Sequence, residues 1–369
     1  MRRHIPSLDG LRAVSIFLVL YGHAVGTTGF PVARRDLGLA EGGVQVFFII
    51  SGFLITKLLL EELDSTGKIS LKGFYRRRVL RIFPAFYTYW LATVLLVAGG
   101  LLAIHLKYLV YAAVYLIDYV PSRPWHLGHL WSLSVEEQFY ALWPLTLVLL
   151  GRRRAFWVAG LGLLLAPLMR VAQFYLVPWD RAGIGMEIHN IGDCIATGCL
   201  LAGLRDWLWS QERYRRWLTS PKFWLLPVVI GITFVMDVHP RVKWLVGIPA
   251  FNVAVALCID RWTRFPDRDP VGRFLNWKPV TFIGVLSYSL YLWQQPFINR
   301  YGHHPWNAFP LNVVLALLLA LVSYYVVERP FLGLRYKSRC PILAAGILPA
   351  LESAAAIRSG VEPPGAPPS

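Results

Sequence analysis

Long apolar stretches recur from residue 11 to residue 327 of this 369-residue chain, and short arginine-rich connections separate them. This alternation constrains the fold more than any single motif. Stretches of about 17–25 apolar residues are too long for ordinary buried strands and match the thickness of a bilayer. Hydrophobic residues make up 56% of the sequence, above the roughly 45–50% of soluble domains. The net charge of +16 could suggest nucleic acid, but its distribution argues otherwise. The basic residues cluster at Arg76–Arg78 with Arg81, at Arg152–Arg154, at Arg205 with Arg213–Arg216, at Arg261–Arg273 and at Arg335–Arg339. Clusters of that kind mark the cytoplasmic ends of membrane spans, so no nucleic-acid partner is expected.

If every cluster is cytoplasmic, an even number of crossings separates neighbouring clusters. Segments 11–26, 43–60, 83–104, 134–150, 155–171, 188–204, 222–238, 242–260, 280–298 and 309–327 satisfy that count. The run YLVYAAVYLIDYV at 108–120 has only about 13 residues, too few to span, and is placed on the outer face with PSRPWHLGHLWS. The expectation is an all-α polytopic membrane protein of about ten transmembrane helices, with both termini cytoplasmic. Residues 1–335 form the membrane domain. Residues 336–369, rich in Ala, Pro and Gly, read as a disordered cytoplasmic tail. Cys194, Cys199, Cys258 and Cys340 form no C-x-x-C pair, and they read as buried thiols rather than a disulfide framework or a zinc site.

The first span, LDGLRAVSIFLVLYGHAV at 8–25, carries an arginine and a histidine. Arg12 and His23 are eleven residues apart, which is three turns plus roughly 20°, so they share one helix face about 16 Å apart along the axis. Ionisable groups inside a membrane usually face the protein interior and mark a site or a pathway. Histidine suits general-base work near neutral pH, and arginine suits phosphate or carboxylate. A snorkelling arginine and a histidine satisfied by a neighbouring helix are the plainer alternatives.

Several motifs accompany this span. They are GGVQVFFIISGFLIT (42–56), FYRRRVLRIFPAFY (74–87), HLWSLSVEEQFYALWP (129–144), SYSLYLWQQPF (287–297) and VERPF (327–331). Together, and in this order, they resemble the acyltransferase 3 family of bacterial membrane O-acyltransferases. The resemblance implies a ten-helix fold in the bacterial inner (cytoplasmic) membrane. It also implies transfer of an acyl group, often acetyl, from cytoplasmic acyl-CoA to a hydroxyl of an extracytoplasmic glycan. Acyl-CoA would be a co-substrate, and no other cofactor is implied. It carries the family's arginine to Arg12, its essential histidine to His23, and its R-x-x-R pattern to Arg78 and Arg81, which would meet the donor phosphates.

Other polar groups leave alternatives open. Ser134 and Glu137 have the S-x-x-E spacing of a capping box, while Glu136 or Glu137 could instead orient His23 as a carboxylate does in a hydrolytic triad. His129 and Asp193 could line an acceptor channel, and the family's usual arginine three residues before Asp193 is here Asn190. Ser287, Tyr291 and Gln294 make a polar stripe that either lines a channel or joins helices. Metal binding at His303 and His304 is not expected, since no carboxylate has ligand spacing nearby. A transporter or flippase of a lipid-linked saccharide is the rival reading, weakened by the lack of visible internal repeats.

Overall fold

The computed structural model describes residues 5–31, 38–235 and 240–337. It is all-helical, with no strand among the described residues. Each of the ten apolar segments read from the sequence is helical over most of its described length. They fall in α1 (Pro6–Ala24), α2 (Leu39–Thr66), α3 (Leu71–Ala98), the two arms of α6 (Leu130–Leu176), α7 (Ile188–Ser210), α9 (Leu225–Val235), α10 (Pro240–Arg264), α12 (Lys278–Trp293) and α13 (Leu311–Leu334). Short helices α4 (Leu106–Ala113), α5 (Trp125–Gly128), α8 (Glu212–Thr219) and α11 (Pro270–Leu275) lie in the connections. Among the described residues, five helices are long and apolar enough to cross a membrane on length and composition: α2, α3, the long helix ending at Leu176, α10 and α13.

Local chemistry explains the breaks. Gly151 has φ 74° and ψ 165°, and it divides α6 into arms 130–150 and 152–176. Only glycine enters that backbone region at low cost, and Arg152–Arg154 follow at once. The apolar run 108–120 does not form a span. It is the eight-residue α4, a 3₁₀ turn at Ile117–Tyr119 and the backbone between them.

The helices that carry the candidate site form a continuous pack: α1 sits between α2 and α12, α2 lies against α7, and α7 against α6. Small residues set the closeness of these crossings. A Cβ on Gly52 would collide with the carbonyl of Ile195, and one on Gly198 with the carbonyl of Ile49, so α2 and α7 touch backbone to backbone. Gly284 of α12 meets the carbonyl of Asp9 in the same way. Such small-residue crossings are how helices associate where no hydrophobic driving force separates them from lipid. Cys194, Cys199 and Cys258 are free and buried. Cys340 and the tail from residue 338 lie outside the described residues.

Candidate active site

Arg12 extends from the second turn of α1 and is held by Asp9, three residues earlier, at 2.6 Å. One helical turn brings i and i+3 together, so the LDGLR sequence positions its own arginine. Arg12 lines a cavity with Arg78 and Arg81 from α3, Glu136 and Glu137 from α6, and Ser51 from α2. The Arg78 guanidinium lies over the rings of Phe74 and Tyr140, at 5.6 and 5.2 Å from their centroids. Stacked this way, a guanidinium keeps its planar donor fork in a fixed direction.

Ser51 Oγ donates to Glu136 Oε1 at 2.5 Å and lies 3.1 Å from the Tyr140 hydroxyl. Glu137 is next to it in sequence, and its Oε1 is buried with no hydrogen-bond partner. On the same wall, Ser132 Oγ and the Tyr291 hydroxyl are 2.6 Å apart, and Tyr291 also donates to the His129 carbonyl at 2.9 Å. Ser287 and Tyr288 complete this side of the lining. The cavity therefore faces three cations toward two carboxylates and a set of hydroxyls.

His23 stands in the last turn of α1, about three turns from Arg12, and is not part of this lining. Its Nδ1 is 2.9 Å from Gln294 Oε1, and its ring meets that of Trp125 edge-on at 5.6 Å between centroids. His129 is buried against the rings of Tyr89 and Tyr291, at 5.3 and 5.5 Å between centroids.

The structure thus gathers Arg12, Arg78, Arg81, Glu136, Glu137, Ser287 and Tyr291 around one cavity, with His23 and Gln294 paired at the other end of α1. The polar stripe of α12 divides between the two places. Glu136 and Glu137 stand with the arginines, and the side chain bonded to the His23 ring is the neutral Gln294. Asp193 does not line the cavity. It accepts from both terminal nitrogens of Arg170, at 3.0 and 2.8 Å, in a fully buried pair. The pairing arginine thus comes from α6, not from the position three residues before Asp193.

The capping-box reading of Ser134 is corrected. The helix already begins at Leu130, so Ser134 lies in its second turn and donates to the Leu130 carbonyl at 3.1 Å. At the end of α13, Ser289 donates to Glu328, and Arg329 lies over the ring of Tyr325. His304 stacks on Trp306, and no group of three or more metal-ligating side chains occurs among the described residues.

Sequence reading missed Asp9, Ser51 and Tyr140. Asp9 carries a usable signal, an acid one turn before an intramembrane arginine. Ser51 and Tyr140 carry none beyond being polar atoms in apolar runs.

A helical membrane bundle whose first helix offers an arginine to a basic inner cavity and a histidine at its far end defines the class. The match to the acyltransferase domain profile over residues 5–329 places the chain in the acyltransferase 3 family. Among curated proteins it is similar to the O-acetyltransferase OatA of Staphylococcus aureus (strain NCTC 8325 / PS 47), at 28% identity covering 89% of this chain and 57% of that protein. It is also similar to the putative peptidoglycan O-acetyltransferase YrhL of Bacillus subtilis (strain 168), at 26% identity covering 89% of this chain and 55% of that protein. The chain therefore spans a little over half the length of these relatives. No solved structure matches it.

Proposed function

We propose that the chain is a multi-pass O-acetyltransferase of the bacterial cytoplasmic membrane, with ten spans and both ends in the cytoplasm. It moves an acetyl group from acyl-CoA to a hydroxyl of an extracytoplasmic glycan, peptidoglycan being the acceptor class that the name of one relative suggests. The observation that carries this reading is the cavity in which Arg12, Arg78 and Arg81 converge on the same helix, α1, that bears His23. Clustered guanidinium groups suit the phosphates of a CoA-type donor. The donor's head stays at the arginines while its thioester arm runs along α1 toward His23.

There His23 takes the proton of the acceptor hydroxyl as its oxygen attacks the thioester carbonyl. The carbon–oxygen bond forms, the carbon–sulfur bond breaks, and the departing thiolate takes the proton back from the imidazolium.

The test is acetyl-CoA turnover by reconstituted protein, read as free-thiol release with a cell-envelope glycan extract as acceptor. Acceptor-dependent release that disappears in His23→Ala supports the reading. No release from folded wild type with any short-chain donor overturns it and returns the flippase of a lipid-linked saccharide as the better account.

A further inference from the structure

A short chain of amides leads from a backbone carbonyl to His23. The carbonyl of Trp125 can only accept a hydrogen bond, and Gln295 Nε2 donates to it at 2.8 Å. That fixes Gln295 Oε1 toward Gln294, whose Nε2 donates to it at 2.8 Å. Gln294 is left presenting its Oε1 to His23 Nδ1 at 2.9 Å. An amide oxygen only accepts, so the nitrogen facing it must carry the proton. Turning Gln295 over would set its oxygen against the Trp125 carbonyl. Turning Gln294 alone would set two oxygens together. The chain therefore has one polarity, set by a group that cannot flip.

Burial makes that polarity binding. Gln294 and Gln295 are 0% and 3% exposed, so water is not at hand to repair a mismatched contact, and an unmade buried bond costs its full desolvation. Trp125 closes the arrangement a second way. Its indole Nε1 donates to the Gln295 carbonyl at 2.9 Å, and its ring walls the imidazole. Among the described residues, the other ionisable groups about this end of α1 include Tyr21 on α1 itself, His126 and His129 beside α5, Tyr291 on α12, Glu41 on α2, Tyr301 against the Trp125 ring, and Arg300, which donates to the Gly22 carbonyl.

We infer that Gln294 and Gln295 are positioning residues that hold His23 in its Nδ1-protonated tautomer, so that Nε2 is the atom that takes the acceptor's proton. This rests on the assignment of proton transfer to His23 made above, but it makes its own claim about the ring. Hydrolytic triads orient the imidazole with a carboxylate; here a neutral amide does so, with its polarity inherited from the backbone. After proton transfer both ring nitrogens carry protons and Nδ1 still donates to Gln294, so no rearrangement accompanies the step.

The experiment is ¹⁵N NMR of the full chain, labelled at its nine histidines and purified in lipid nanodiscs, with His23 assigned by the signal missing in His23→Ala. Wild type is expected to show His23 with a protonated Nδ1 and an unprotonated Nε2. Gln294→Leu, which removes the acceptor facing Nδ1, is expected to move it to the Nε2-protonated or a mixed form. In the thiol-release assay Gln294→Leu should lower kcat by roughly 10²-fold or more, since the wrong tautomer is costly in related chemistry. KM for acetyl-CoA should be unchanged. An Nε2-protonated His23 in wild type overturns the proposal without need of any variant, as does an unchanged tautomer in Gln294→Leu. The spectra read the ring alone, so failure of acyl transfer as the function leaves the tautomer result separately readable.

Discussion

The Arg170–Asp193 pair gives a sharp test of which acids are structural. Arg170 is 1% exposed and Asp193 0%, and two parallel bonds of 3.0 and 2.8 Å join them across α6 and α7. Asp193→Leu strands a guanidinium in the packed interior. Breaking one side of a buried pair costs about 3–5 kcal/mol. Arg170 keeps its bonds to the carbonyls of Asn190 and Trp244, so the lower end, about 3 kcal/mol, is expected. For a chain of this size that is a fall in apparent Tm of roughly 4 °C. Replacing both partners with apolar residues of similar volume, Arg170→Met with Asp193→Leu, removes the stranded charge and should recover at least half of the loss.

Buried Cys194, Cys199 and Cys258 allow unfolding to be followed with a thiol-reactive fluorophore, once thiols that react in the folded state have been blocked. Thiol release from acetyl-CoA by the double variant should stay near the wild-type rate. Asp193→Leu that melts with wild type, or a double variant no more stable than the single one, would refute the structural assignment and return Asp193 to the reaction.

Three further outcomes follow from particular contacts. Burial pushes the Asp118 carboxyl, in the turn between α4 and α5, up to about 6, against the lowering effect of the Gln138 amide that donates to both its oxygens. The native chain then holds this proton more tightly than the unfolded one, whose carboxyl titrates near 4. Wild-type stability should fall from about pH 4 to about pH 6 and level off above, so the Tm of Asp118→Asn should rise relative to wild type across that window; a constant difference refutes it. Gly52→Val drives a side chain into the Ile195 carbonyl, and it should destabilise by about 1–3 kcal/mol, read as a lower melting temperature; unchanged melting contradicts the close crossing. Tyr291→Phe loses the hydroxyl bonded to Ser132 and the His129 carbonyl. Ser132 still donates to that carbonyl, so the change should cost about 0.5–1.5 kcal/mol, read as a lower melting temperature; unchanged melting contradicts the contact.

Periodicity and charge made the helical segments legible, whereas the grouping of Arg78 and Arg81 with Arg12 came from the family resemblance, and the structure puts these three around one cavity. What the sequence could not convey was depth. S-x-x-E reads as a helix start at Ser134, but the apolar residues before it continue the helix back to Leu130. Glu136 then lies in the second turn, where it accepts from Ser51 beside the arginines. Partners far apart in the chain were equally hidden. Arg170 meets Asp193 over 23 residues of helix and turn, and Gln294 meets His23 across 271. No local spacing encodes either contact. The break at Gly151 could be read only indirectly, from the basic run that follows it.

The central claim is that one end of α1 holds the donor and the other does the chemistry. Calorimetric titration of CoA into the purified chain separates the two. Arg78→Gln and Arg12→Gln should weaken CoA binding roughly tenfold or more, since each removes a charged donor worth about 1.5–3 kcal/mol. His23→Ala should bind CoA as wild type does while catalysing nothing. Equal CoA affinity in the arginine variants and wild type, or loss of binding in His23→Ala, would contradict the account.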